Sequence, residues 1–262
     1  MTASDNTGVA SFVGLGHSHI VALAKGAYAL EAKRTEIAGR AVCGRFRYLY
    51  DEAYMPPFAD AAGTALNPAI EAALAEGAPQ FILLSMGGNE HNIVSMRQPT
   101  PRFDFILSGA PDAPLDPTAE IIPEAAVRET LRDYMAESMR VLRAIRAASP
   151  LPMILVEPPP PLPRAQVLAY PKEFFRSQFD QRGMSSDALR RKVWRVQIEM
   201  MRQASDDLAI PYLATPEDVF GADGLLAPWA CGQDASHANE SYGEIMIAAA
   251  VRLMAAQTPG AA

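Results

Sequence analysis

Short apolar runs alternate along this chain with longer stretches whose apolar residues return every three or four positions. The run GVASFVGLG, ending in glycines, predicts a short buried strand. HIVALAKGAYALEAKR follows with helical spacing, carrying Ile20, Leu23, Ala27 and Leu30 along one side. RAVCGRFRYL predicts a second strand, and LNPAIEAALAEG a helix that stops at Gly77. QFILLSM predicts a third strand running into GGNEHN. PEAAVRETLRDYMAESMRVLRAIRAAS predicts a long helix, with Pro123 near its start and a stripe of Val127, Leu131, Tyr134, Met135, Leu142 and Ile145. PMILVE predicts a fourth strand, cut off by PPPPLP, which reads as a rigid exit from a buried strand rather than a polyproline ligand. SSDALRRKVWRVQIEMMRQASDDLA predicts another long helix, IPYLA a fifth strand, and a last helix begins after HAN.

Strands separated by helices call for a parallel sheet covered on both faces. The expectation is therefore a three-layer α/β/α sandwich around a parallel sheet of about five strands. Residues 1–262 read as one domain, with a loop insertion over 96–122. That segment, MRQPTPRFDFILSGAPDAPLDPTAEII, is long for a connection and rich in Pro, Asp and Gly, as binding loops often are. It reads as lying above the sheet, where Arg97, Arg102, Phe103 and Phe105 would shape a substrate pocket.

Composition narrows the classes. The hydrophobic fraction of 49% and the charged fraction of 20% are those of an ordinary globular protein. A net charge of -7 argues against a nucleic-acid partner, which would demand a basic stripe. The longest apolar candidate, EIMIAAAVRLMAAQ, is interrupted by Arg252, so no membrane span is expected. MTASDNTGVASFVGLG has neither a basic nor an apolar leader region. With only two cysteines, Cys43 and Cys231, no disulfide framework is expected and a cytoplasmic location is the default.

The candidate chemistry lies in three loops, GHSH, GGNEHN and GQDASHANESYG, which hold all four histidines. In open parallel sheets ligands gather at the carboxyl ends of strands, where the first two of these loops fall. Acyl transfer to water needs a nucleophile, a base, an orienting group and an anion cradle. Ser18 is suited to the first task, His237 to the second and Asp234 to the third, while the Asn89 amide suits a developing oxyanion. Each has a plainer reading: Ser18 or His237 as a helix cap, Asp234 and Asn89 as turn residues. Together they favour catalysis. The rival arrangement is a metal site on the His17-x-His19 pair, completed by His91, Asp234 and His237.

In order and content these blocks resemble the SGNH (GDSL-type) serine hydrolases: Gly16-His17-Ser18, then Gly87-Gly88-Asn89-Glu90, then Asp234-Ala235-Ser236-His237. ILVEPPPP is also similar to that family's strand running into a proline-rich loop, and the resemblance spans Phe12 to Asn239. It implies a flavodoxin-like fold and a serine esterase without a cofactor, acting on a small-molecule or carbohydrate ester. The implied roles are Ser18 as nucleophile and oxyanion donor, Asn89 as side-chain donor, His237 as base and Asp234 as its orienting group. Gly63 is the implied third donor, with Gly44 as runner-up. His91 either lines the pocket or serves the loop. The family usually has Asp before the serine and after the asparagine, where this chain has His17 and Glu90. Ser18-His19 is also similar to the first block of SGNH domains attached to polysaccharide acyltransferases. An O-acyltransferase on the same triad is the alternative.

Overall fold

A computed structural model describes residues 8–54, 57–171 and 173–257. The N-terminal stretch read for a leader lies partly outside them. The strands are β1 (Val9–Gly16), β2 (Glu36–Ile37), β3 (Arg40–Tyr48), β4 (Phe81–Ser85), β5 (Phe103–Asp104), β6 (Glu120–Ile121), β7 (Met153–Val156) and β8 (Tyr212–Leu213). The α-helices are α1 (Ile20–Ala32), α2 (Pro68–Ala75), α3 (Glu90–Ser95), α4 (Glu124–Ala148), α5 (Arg164–Ala169), α6 (Glu173–Arg182), α7 (Asp187–Asp207) and α8 (Glu240–Gln257).

The main sheet has the order β2-β3-β1-β4-β7-β8. Five of its strands run parallel, as expected, and the two-residue β2 adds an antiparallel edge against β3. Every residue of β4 and β7 is buried, which is why these strands read as continuous apolar runs rather than alternating ones. One core face packs Ile20, Leu23 and Ala27 of α1 against Tyr242, Met246 and Val251 of α8. The other holds Ile70 of α2, Leu131 and Leu142 of α4, and Val193 and Val196 of α7.

Two features of this arrangement position a site. First, β1 lies between β3 and β4, so the chain leaves β1 toward one edge and later fills the sheet toward the other. The carboxyl ends of β1 and β4 thus flank a topological switch point, the crevice where ligands bind in open α/β sheets. Second, α1 and α8 meet without side chains between them: a Cβ on Gly26 would lie 2.1 Å from the Gly243 carbonyl carbon, and one on Gly243 would lie 1.9 Å from the Ala22 carbonyl oxygen. This close approach ties together the helix that follows Ser18 and the helix that follows His237.

Phe103 and Phe105 of the 96–122 segment do not lie at the pocket expected for them. The segment forms the small β5–β6 pair and is pinned at Asp104, whose carboxylate accepts from the Phe105 and Asp116 backbone N–H groups and pairs with the buried Lys192 of α7. Phe105 is fully buried in the α4/α7 core, and Phe103 packs against the same core. The buried pair and its backbone bonds anchor the segment to α7 at Asp104.

Candidate active site

The site assembles from three loops at the crevice between β1 and β4. After β1, the His17 backbone N–H donates to Ser85 O at 3.0 Å, and after β4 the Gly87 N–H donates to His17 Nδ1 at 2.9 Å. The two strand ends are thereby stitched together. Because Nδ1 accepts, the neutral His17 ring carries its proton on Nε2. Burial holds this imidazole down at about 4, against a smaller opposing pull from Glu137. Its ring packs against Tyr50 and Phe58.

Ser18 is not the cap of α1, because the N-cap position belongs to His19, whose side chain makes no capping bond. Instead its Oγ accepts a hydrogen bond from Asn89 Nδ2 at 3.0 Å. Asn89 Oδ1 in turn accepts from Asn92 Nδ2 at 3.0 Å, which turns the Asn89 amide so that its NH2 faces Ser18. Asn92 is a residue of the candidate site that the sequence reading missed. Its signal was the Asn-x-x-Asn spacing at the start of α3, one helical turn apart.

The glycines before Asn89 have a steric reason. Gly87 and Gly88 adopt φ of 63° and 105°. A Cβ on Gly87 would fall 2.5 Å from Glu90 Oε1, and one on Gly88 would fall 2.7 Å from the His19 ring. Glu90 folds under this loop, accepting from the Gly88 N–H at 2.6 Å, from Gln197 Nε2 at 2.7 Å and from Ser138 Oγ at 3.4 Å. Burial raises its carboxyl above the ordinary range, while these donors pull it back down.

The third loop carries Asp234 and His237. Asp234 Oδ1 accepts from the backbone N–H of Ser236 and of His237, each at 2.8 Å, and Oδ2 accepts from His237 Nδ1 at 2.7 Å. Burial alone would raise the Asp234 carboxyl. The bond from His237 and the two backbone donors outweigh that and hold it well below the usual carboxylate range. His237 Nε2 is buried and has no protein partner. The cap of α8 is Asn239, whose Oδ1 accepts from the Tyr242 N–H at 3.1 Å, so His237 is not spent on capping.

Ser18 and His237 together line two adjoining cavities. One, of about 420 Å³, is walled also by Asn89, Asn92, Ile93, Met96 and Phe175. The other, of about 690 Å³, runs past Lys25, Tyr48, Gln233, Asp234, Asn239 and Glu240. Both fall in the size range of small-molecule sites.

Several residues expected at the site lie elsewhere. The Gly63 N–H donates to Asp60 O within a turn, and the residue packs against Arg140 of α4. Gly44 sits within β3 opposite Phe12, under the Phe12 and Phe46 rings. His91 is fully buried and lines neither cavity. Its backbone N–H and Nδ1 both meet Gln197 Oε1, and burial pushes its imidazole down to about 3. Arg102 is exposed and donates to Thr118 Oγ1, so of the two arginines only Arg97 lines a cavity. Conversely, Phe175 and Gln178 of α6 were missed, and Gln178 accepts from Arg97 at 3.0 Å. The apolar spacing of Phe175 and Phe179, one helical turn apart and stacked at 6.0 Å, was the available signal.

The His-x-His pair does not converge. His17 faces Tyr50 and Phe58, whereas the buried His19 ring lies 5.0 Å from the His237 ring. Burial first, and the neighbouring His237 and His91 next, push His19 down to about 3. Among the described residues no group of three or more His, Cys, Asp and Glu side chains is gathered as a metal ion would require. Among them, too, no helix is long and apolar enough to cross a membrane.

No family model and no curated protein matches this sequence. Among solved structures the chain is similar to a GDSL-like lipase from Bacteroides thetaiotaomicron VPI-5482, with 12% identity over 94% of this chain and 87% of that one and a TM-score of 0.45. It is similar to Est24, a carbohydrate acetylesterase from Sinorhizobium meliloti, with 12% identity over 95% of this chain and 100% of that one and a TM-score of 0.45. It is also similar to the periplasmic domain of a lipopolysaccharide acetyltransferase from Salmonella ser. Paratyphi A, with 12% identity over 95% and 84% and a TM-score of 0.47.

Proposed function

We propose that this protein is a serine hydrolase of the SGNH type that cleaves esters through an acyl-serine intermediate. The observation that carries the reading is the convergence on one crevice of Ser18, bonded to the Asn89 amide, and His237, held by Asp234. In the proposed cycle His237 Nε2 takes the Ser18 hydroxyl proton as Oγ attacks the ester carbonyl. The Asn89 amide leaves Oγ for the oxygen on which negative charge develops. His237 returns the proton to the departing alcohol, then activates a water that releases the acid. Asp234 fixes the tautomer with the proton on Nδ1 and stabilises the imidazolium without taking its proton. Ser18 Oγ and His237 Nε2 share no hydrogen bond before substrate arrives, and such contacts commonly tighten only in the reacting complex.

Both cavities open to solvent, which favours water over a second alcohol as the acceptor and so hydrolysis over transfer. The reading is tested by intact-mass spectrometry after incubation with a fluorophosphonate probe. One adduct is expected on the wild type and none on Ser18→Ala. An adduct surviving in Ser18→Ala would place the reactive residue elsewhere.

A further inference from the structure

The two cavities that meet at Ser18 differ in chemistry. The smaller is walled mainly by Ile93 and Met96 from the α3 region and by Phe175 from α6, with Arg97 and Gln178, bonded to each other, completing the wall. Met96 is buried beneath it, whereas Ile93 keeps 48% of its surface exposed. An isoleucine left half-exposed inside a cavity forgoes the stabilisation of burial until an apolar partner covers it. The larger cavity carries Lys25, Gln233 and Glu240 on its rim, all exposed, beside the Tyr48 ring, which is 38% exposed. These side chains offer hydrogen-bond donors, an acceptor and an aromatic face, the mixture that suits a ligand with many hydroxyls and short apolar C–H faces.

We infer that the substrate is an ester joining an acyl chain longer than acetyl to a polyhydroxylated alcohol, with the chain in the Ile93–Met96–Phe175 cavity and the alcohol in the Lys25–Tyr48–Gln233 cavity. This rests on the serine-hydrolase reading and adds the division of the substrate between the two sides of Ser18. Ser18 and His237 line both cavities, so a carbonyl carbon at Oγ can send its two substituents in opposite directions. The oxyanion donor Asn89 lines only the apolar cavity. The leaving oxygen on the other side stays beside His237, which must protonate it. At about 420 Å³ the apolar cavity is far larger than an acetyl group needs, and an acetyl group would leave Ile93 uncovered.

The test measures kcat/KM for p-nitrophenyl acetate, butyrate, hexanoate and octanoate, and for the hexanoyl ester of glucose against methyl hexanoate. In the wild type each added methylene should raise kcat/KM by about two- to fourfold until the cavity is filled. Ile93→Trp should lower the octanoate-to-acetate ratio at least about fourfold, the loss of two or more buried methylenes. Tyr48→Ala and Lys25→Ala should lower the ratio of glucose hexanoate to methyl hexanoate. A flat or falling acyl series in the wild type would overturn the assignment, whatever the fate of the variants. So would an Ile93→Trp effect confined to the alcohol comparison. Fluorophosphonate labelling of Ser18 in the same samples separates the two levels: a labelled serine with a flat series refutes only the division of the cavities, whereas an unlabelled serine removes the hydrolase reading beneath it.

Discussion

Asn89 Nδ2 donates to Ser18 Oγ across 3.0 Å, although the two residues lie 71 positions apart in the chain. The bond exists because β1 and β4 are neighbours and their ends are joined through His17 and Gly87. It places an amide donor within reach of the atom that would attack, and Asn92 keeps the correct end of that amide forward. Asn89→Ala should therefore lower kcat by about 10²–10³ with a small change in KM, the usual loss of one oxyanion donor. Steady-state kinetics on a p-nitrophenyl ester decides this, and a change confined to KM would assign Asn89 to ground-state binding.

The Asp234–His237 bond makes a different prediction. Asp234→Asn keeps the size of the side chain but favours the wrong imidazole tautomer. A loss of about 10⁴ in kcat is expected where the carboxylate fixes a catalytic histidine. The backbone bonds from Ser236 and His237 to Oδ1 can survive in the variant, so its melting temperature should fall little. Wild-type turnover in this variant would reduce Asp234 to a turn residue.

The α1–α8 approach should be sensitive to a single methyl group. Gly243→Ala would put a Cβ 1.9 Å from the Ala22 carbonyl oxygen, and backbone cannot yield as a flexible side chain does. Overpacking of this kind costs about 1–3 kcal/mol. Because α1 and α8 begin just after Ser18 and His237, the variant should lose activity as well as stability at a temperature where it remains folded. Urea titration and kcat/KM at that temperature test both effects.

The buried histidines predict how stability follows pH. His17 is held down at about 4, and His19 and His91 at about 3, all chiefly by burial. Between pH 6.5 and about 4 the unfolded chain takes up protons at these rings while the native chain does not. Stability therefore falls on acidification through this window, by at most about 1.4 kcal/mol per pH unit for each ring. Glu90 and Glu157, both raised by burial, act with the opposite sign just above the ordinary glutamate range, as two groups against three. Urea unfolding at pH 7, 6 and 5 should show the decline, and His91→Leu should make it shallower. A pH-independent unfolding free energy would contradict the burial of these rings.

Much of this molecule was legible before folding. Period 3.6 in α1, α4 and α7 and the unbroken apolar runs of β4 and β7 carry the three layers, because burial on one face or two leaves a periodic trace in the sequence. Ser18, Asn89, Asp234 and His237 were legible as a candidate set by their order along the chain, although each alone also suits a cap or a turn. What the sequence did not carry was contact between distant segments. Asn92 and Phe175 lie on α3 and α6, where the i,i+3 and i,i+4 spacings are visible in the sequence but do not say that either helix reaches Ser18. Gly63, His91 and Arg102 occupy suitable places in the chain, yet a turn, Gln197 and Thr118 claim their polar groups. The 96–122 segment reads as a pocket loop from composition alone, but the buried Asp104–Lys192 pair fixes most of it to α7. Sequence thus determined which elements form and which residues are chemically able. Only the tertiary structure decided which of them share the crevice, because that depends on strand order and on close approaches, such as Gly26 to Gly243, that leave no periodic signal.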